Sequence, residues 1–202
     1  MIYNTRQLLD KYSSYSNSYN KLKRELSNNN IFKIIRGLYT DDKNVDRLLL
    51  SQFIYGPSYI SFDFVLSLEG LIPERVNNIT CASFNKNKTK IFTTNFGNFI
   101  YEDVPKDVFS FGLRTINVNE YSYVIATAEK AICDKLYKVR QVHIREELQE
   151  LLFDDLRIDK SLLLNLDLSL LIDLASKYKR NNLRLLIEYV KKEANIKNAS
   201  NS

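Results

Sequence analysis

The chain contains no tryptophan, one methionine, one histidine, two cysteines, three prolines and five glycines among its 202 residues. Each scarcity closes off a class of chemistry. A single histidine, His143, excludes a multi-histidine metal site, and no nucleophile motif accompanies it to build a triad. A lone histidine beside a helix reads as structural or solvent-exposed. The glycines stand at 37, 56, 70, 97 and 112, and no spacing among them gives a phosphate-binding loop or a dinucleotide fingerprint. No cofactor, no metal and no catalytic residues are therefore expected. Cys81 and Cys133 lie 52 positions apart without CxxC or Cys/His spacing, so neither a disulfide framework nor a zinc site is indicated. Long apolar runs are missing as well. The most apolar stretch, residues 162–174, is interrupted by Asn165, Asp167 and Asp173, and residues 1–7 lack the basic-then-apolar layout of a secretion signal. The expectation is a cytoplasmic protein without membrane contact.

What is present is an ordinary globular composition, 45% hydrophobic and 26% charged, long enough for one medium domain or two small ones. The net charge of +5 is unevenly spread. Residues 1–40 hold seven Lys/Arg against two Asp/Glu, residues 41–175 hold 15 against 20, and residues 176–202 again hold seven against two. Basic ends around an acidic middle point to a polyanionic partner at the ends, although a solvated face is the commoner meaning of any one charge cluster. The abundance of Asn, Lys, Ile and Tyr also fits an A+T-rich coding sequence, which lowers the weight of any single Asn or Lys.

Hydrophobic periodicity divides the chain. Residues 5–12 read as a first helix and 17–27 as a second, closed by the Asn28-Asn29-Asn30 turn. Tyr15, Tyr19, Leu22 and Leu26 follow the rhythm of a buried stripe, while Asn17, Lys21, Arg24 and Asn28 keep the same rhythm on a polar, basic face. Residues 31–35 and 38–40 then read as two short strands around Arg36-Gly37. Helix, helix and basic hairpin outline a winged-helix-like module over residues 1–43. A helix at 44–55 stops at Gly56-Pro57, so the boundary falls between 41 and 57. Ser61 reads as an N-cap for a helix ended by Gly70. Strands follow at 79–84, 90–94, 98–104, 113–118 and 121–126, with turns at 85–88, 95–97 and 119–120. Thr127 caps a helix to Val139, and further helices follow at 145–153, 161–166, 169–178 and 182–192. Strands followed by helices indicate an α+β fold: a small N-terminal module, then a larger domain at 57–194 with an antiparallel or mixed sheet and C-terminal helices. The polar tail at 195–202 is expected to be disordered.

Paired acids give little support for catalysis. Asp41-Asp42 fall in the linker and Asp154-Asp155 at a helix end, and adjacent side chains point different ways, so neither pair makes a good chelator. Glu129, Lys130 and Asp134 share one helix, where an amphipathic, salt-bridged face explains them more simply than a catalytic cluster. The positive signal is DNA binding. A recognition helix presents amides and cations to base edges and phosphates, and Asn17, Asn20, Lys21 and Arg24 supply them, with Lys33 and Arg36 on the hairpin placed to reach the backbone or minor groove.

The remaining motifs carry a resemblance. Arg36-Gly37-Leu38-Tyr39, Tyr55-Gly56-Pro57-Ser58-Tyr59-Ile60-Ser61 and Gly70-Leu71-Ile72-Pro73-Glu74-Arg75-Val76 come first. Phe96-Gly97-Asn98-Phe99-Ile100-Tyr101, Ala126-Thr127-Ala128-Glu129-Lys130-Ala131, Cys133-Asp134-Lys135-Leu136-Tyr137 and Asp155-Leu156-Arg157-Ile158 follow. In this order the chain, from about residue 20 to 190, resembles the AbiEi family of antitoxins. The resemblance implies a bacterial type IV toxin–antitoxin, or abortive-infection, system of phage defence. In that family an N-terminal winged helix binds and represses the operon's own promoter. The C-terminal domain opposes a nucleotidyltransferase toxin without a stable complex. This chain has no Gly-Ser followed by Asp-x-Asp, so it looks like the antitoxin half. It departs from the pattern at the front, where 40 residues fit two helices and a hairpin; the helix at 44–55 is the candidate third. Tyr59, Ile60, Leu71, Ile72, Phe96, Phe99 and Tyr101 read as core. Lys177, Lys179, Arg180, Arg184, Lys191 and Lys192 form a second basic set, suited to RNA, to flanking DNA or to solvent. A stand-alone repressor and an RNA-binding module are the alternatives.

Overall fold

The computed structural model describes residues 1–200, with side chains through Asn195. The chain begins with β1 (Ile2–Asn4), α1 (Thr5–Lys11), α2 (Ser18–Ser27), β2 (Phe32–Ile35) and β3 (Leu38–Thr40). The three strands form an antiparallel sheet in the order β1-β3-β2. Strand β1 was absent from the sequence reading, since three residues are too few for an alternation to register. Asn4 caps α1 by accepting from the Gln7 amide, and the Gln7 side chain accepts in return from the Asn4 amide. Asn17 lies outside α2 and caps it, accepting from the Asn20 amide at 2.9 Å. Asn29, at φ +57°, ends it as expected. The two-residue turn Arg36-Gly37 joins β2 to β3, with Gly37 at φ +86° and its carbonyl accepting from the Thr5 amide at 3.1 Å.

Alternation along β1 splits its side chains between two cores. Tyr3 joins Leu8, Tyr12, Leu22 and Ile31 in a small cluster beneath α1 and α2. Ile2 faces the other way and enters the main core together with Ile34. The expected buried stripe is therefore halved. Leu22 and Leu26 pack inward, but Tyr15 and Tyr19 are 48% and 63% exposed, because so small a cluster does not extend beneath them.

The helix α3 (Arg47–Ile54), expected in the linker, contributes Leu49, Leu50 and Ile54 to the main core and packs on the large sheet. It does not supply a third helix to the small cluster. The large sheet comprises β4 (Ser58–Ile60), β5 (Ile79–Phe84), β6 (Lys90–Thr94), β7 (Gly97–Val104), β8 (Leu113–Val118) and β9 (Tyr121–Ala126). Its order is β6-β7-β5-β4-β9-β8, with β5–β7 and β4–β9 parallel and the other pairs antiparallel. The sheet is mixed, as the α+β reading allowed. Five strands match expectation within a residue. The sixth, β4, sits at the centre and is buried on both faces, so its three residues show no polar alternation.

Register assigns the layers. Ile60, Cys81 and Tyr101 lie in one row, and Tyr101 OH donates to the carbonyl of Ser51 in α3 at 2.5 Å. Tyr59 points to the opposite face, where α5 (Ala128–Lys138) lies. The short α4 (Asp63–Leu68) packs beside α5, and Ser61 does not cap it; Phe62 occupies that position and Ser61 turns toward α5. Behind α5 come α6 (Arg145–Glu150), continued by a π-turn at Leu151–Asp155, then α7 (Lys160–Leu163), α8 (Leu168–Ser176) and α9 (Asn181–Ser200). Thr127 caps α5 as expected, accepting from the Lys130 amide. Most of the expected tail at 195–202 lies outside the residues whose side chains are described. Among the described residues no helix is long and apolar enough to cross a membrane.

Candidate nucleic-acid interface

The seven cations of residues 1–40 divide sharply. Lys11 donates to Tyr3 OH and Lys21 pairs with Glu25 at 2.7 Å. Arg6, Lys23, Arg24, Lys33 and Arg36 are exposed and their side chains have no hydrogen-bond or ion-pair partner. Leaving charge unpaired on a folded surface is unremarkable singly. Five cations on a unit of about 40 residues with two acids make a positive field that attracts polyanions.

The helix α2 organises part of this set. At about 100° per residue, Tyr19, Lys23, Ser27, Asn20 and Arg24 fall in that angular order within an arc of about 140°. All five are exposed and none is acidic. Leu22 and Leu26 lie on the buried side. The expected face, built on Asn17, Lys21, Arg24 and Asn28, is turned too far toward the flank. Asn17 and Asn28 are the caps, and Lys21 is held sideways by Glu25. The ammonium of Lys21 also stands 4.6 Å from the Tyr15 ring centroid and 5.9 Å from that of Tyr12, whose ring meets Tyr15 edge-on at 6.2 Å. The ammonium of Lys21 holds the Glu25 carboxyl below its usual range, with help from the Asn30 amide, which donates at 2.8 Å. Lys21 thus braces α2 against the preceding turn. Lys23 was missed by the sequence reading. Limiting the buried stripe to Leu22 and Leu26, without Tyr15 and Tyr19, would have widened the face to include it. Tyr15, Ser16, Asn17, Asn20, Lys21 and Arg24 border a shallow pocket of about 250 Å³.

On the hairpin, the bond from the Thr5 amide to Gly37 sets Arg36 beside the first turn of α1, where Arg6 is also exposed. Lys33 lies two residues before the hairpin's turn on β2. A cleft of about 570 Å³ between this unit and the large sheet carries Asp42, Asp46 and Glu120 over Ile2, Val45 and Leu49, a lining unsuited to phosphates.

The C-terminal basic set does not converge. Lys177 pairs with Asp173 at 3.2 Å, Arg184 with Glu188 at 2.5 Å, and Arg180 reaches the Val139 carbonyl at 3.4 Å. Lys179, Lys191 and Lys192 remain without partners, but the ten steps from Asn181 to Lys191 span about 15 Å of α9.

The cluster of Glu129, Lys130 and Asp134 is not the solvated face expected of it. Lys130 and Asp134 are both fully buried and lie 3.2 Å apart. Tyr59 and Ser61 donate to Asp134 Oδ2 at 2.9 and 2.7 Å, and Tyr178 donates to Oδ1 at 2.5 Å. Lys130 Nζ donates to the Val108 carbonyl at 2.8 Å and to Tyr178 OH at 2.5 Å. Burial lowers the Lys130 pKa, opposed by the Asp134 charge, while burial and the same carboxylate raise Tyr59 and Tyr178. Glu129 accepts from the Asp167 amide at 3.2 Å, tying α5 to α8. No substrate can reach groups so enclosed, and the network joins β4, α5 and the turn before α9. Gly112 is required above it, since a Cβ there would lie 2.9 Å from both Lys130 Cβ and Leu174 Cδ1. Cys81 and Cys133 are free, buried thiols. Among the described residues no three His, Cys, Asp or Glu side chains gather around a metal-sized site.

No protein-family model matches the sequence, and no curated protein matches it. The AbiEi resemblance accordingly rests on the ordered motifs alone.

Proposed function

We propose that this protein is a DNA-binding transcriptional regulator that represses its own operon, and that it is the antitoxin of a type IV toxin–antitoxin pair acting in phage defence. The observation that carries the DNA reading is the acid-free face of α2, with Lys23 and Arg24 unpaired and Asn20 between them around the helix, together with the unpaired Lys33 and Arg36 of the hairpin. The order strand, helix, helix, hairpin, with β1 beside β3, supports a winged-helix reading in which α2 is the recognition helix and the hairpin a short wing. On this reading the unit uses two helices and three strands, and α3, which packs on the large sheet, does not add a third helix to it.

The antitoxin role is supported by the ordered AbiEi motifs, several of which meet in the buried network of Tyr59, Ser61, Lys130 and Asp134. The scattered C-terminal cations favour no RNA-binding surface of comparable density. The partner of the DNA-binding face is promoter DNA; the functional partner is a cytoplasmic nucleotidyltransferase toxin, opposed without stable contact.

Titration of the full chain against duplex from upstream of its reading frame tests the DNA role. Five phosphate contacts, one for each unpaired cation, predict a log–log salt slope of about −4.5 per copy. A flat salt response overturns it. Co-expression with the adjacent nucleotidyltransferase tests the antitoxin role, with restored growth expected and continued toxicity counting against it. Truncation at residue 57 is a poor test, because it removes α3 from the main core.

A further inference from the structure

Tyr19 stands apart from the other aromatic side chains of the N-terminal unit. Tyr3 and Tyr12 belong to the small core, Tyr39 packs against it, and Tyr15 is held by the Tyr12 ring and the Lys21 ammonium. Tyr19 is 63% exposed and makes no ring or cation contact. It is the second residue of α2, in the first turn, and shares the exposed arc with Asn20, Lys23 and Arg24. The N-terminal residues of a recognition helix are those that meet base edges in the major groove. There the arc offers two kinds of contact: an amide suited to adenine and an apolar ring suited to the thymine methyl group. On its exposed side this ring is bordered by Asn20 and Lys23, and no acid lies on the face, a combination that fits a DNA groove better than the apolar core of a protein interface.

We propose that Tyr19 is a specificity-determining residue that reads a thymine methyl group in the major groove, with Asn20 reading a base beside it. The proposal rests on the DNA-binding reading above. Lys23 and Arg24 then serve phosphate affinity, and Lys21 serves neither, since its charge is spent on Glu25 and Tyr15.

The test uses the full chain and a duplex selected by the wild-type protein from a random pool. The selected duplex is prepared both with thymidine and with deoxyuridine, which lacks the methyl group and changes nothing else. Wild type is expected to lose about fourfold in affinity on deoxyuridine DNA for each methyl group contacted, the worth of one buried methyl. Tyr19→Ala should bind thymidine DNA at least fourfold more weakly than wild type and show no preference between the two duplexes. Tyr19→Phe should keep the preference. The salt slope should be unchanged in both variants, because no phosphate contact is removed. A Tyr19→Ala protein that still distinguishes the two duplexes overturns the assignment while leaving DNA binding intact. Failure of the wild type to select any duplex overturns the DNA-binding reading, and the Tyr19 assignment with it.

Discussion

The two parts of this molecule treat charge differently. In the large domain ten of the nineteen described cations are paired with acids, against one of seven in the first 40 residues. Ten of the twelve ion pairs among the described residues lie beyond residue 60, and they include Arg114–Glu69, Lys135–Asp63, Lys138–Glu102 and Arg140–Asp155 on the surface and Lys130–Asp134 in the core. In the first 40 residues five of seven cations are left over. A surface ion pair is worth about 0–1 kcal/mol, so the pairs outside do little for stability, whereas a cation without a partner keeps its full charge available to a polyanion. The large domain uses about half of its cations to join its own elements, and the small unit presents most of its cations outward. Burial follows the same division. Forty-three residues make one continuous core around the mixed sheet, and five make the small cluster under α1 and α2. The small unit leans on the large one through Ile2 and Ile34, and through the Ile2 amide donating to Tyr121 OH at 3.1 Å.

The strongest way to break this comparison is at Asp134. Its carboxylate accepts from Tyr59, Ser61 and Tyr178 and faces Lys130 with no access to water. Asp134→Ala leaves a buried ammonium without its counter-charge and three hydroxyls short of an acceptor. The expected cost is about 3–5 kcal/mol, a fall in Tm of about 6–20 °C by calorimetry for a chain of this length. Removing charge from the exposed face of α2 should leave Tm within about 2 °C. Were Asp134→Ala as stable as wild type, the network would not hold β4 to α5 and the contrast between the two regions would fail.

Much of the large domain was legible because its signals are local and repeated. The strands at 79–84, 90–94, 98–104, 113–118 and 121–126 alternate, and their turns carry asparagine or glycine; Asn85, Asn87, Asn119 and Gly97 all adopt positive φ. The plentiful asparagines, discounted as a composition effect, are thus partly turn chemistry. What the sequence did not disclose is long-range. Nothing near Lys130 or Asp134 in the chain announces Tyr59 and Tyr178, which lie 75 and 44 positions from Asp134 and convert a helix-surface pattern into a buried network. Likewise α3 has the apolar spacing of any amphipathic helix, and only the sheet it lands on assigns it to the large core. In the candidate interface the composition was legible and the register was not. Counting the caps Asn17 and Asn28 as face residues centred the expected face on Lys21 and Arg24 and passed over Lys23. The inward packing of Leu22 and Leu26 and the Lys21–Glu25 pair turn the open face toward Lys23.

That shift supplies the finer predictions. Lys23→Ala combined with Arg24→Ala removes two unpaired cations, so the salt slope should become shallower by about 1.8, with affinity falling most at low salt. Lys21→Ala removes a cation of equal formal charge whose partner is Glu25, and it should move the slope far less than either neighbour does. Its effect belongs to the fold of α2. The folded Glu25 carboxyl titrates below its unfolded value, so the bond to Lys21 contributes stability above about pH 4.3 that is lost as pH falls through the lower folded value. The difference in Tm between wild type and Lys21→Ala should accordingly shrink on acidification, down to the share contributed by the Tyr12 and Tyr15 rings once Glu25 is protonated. Equal changes in salt slope for Lys21→Ala and Lys23→Ala would return Lys21 to the DNA-facing surface and show that its pairing with Glu25 yields to phosphate.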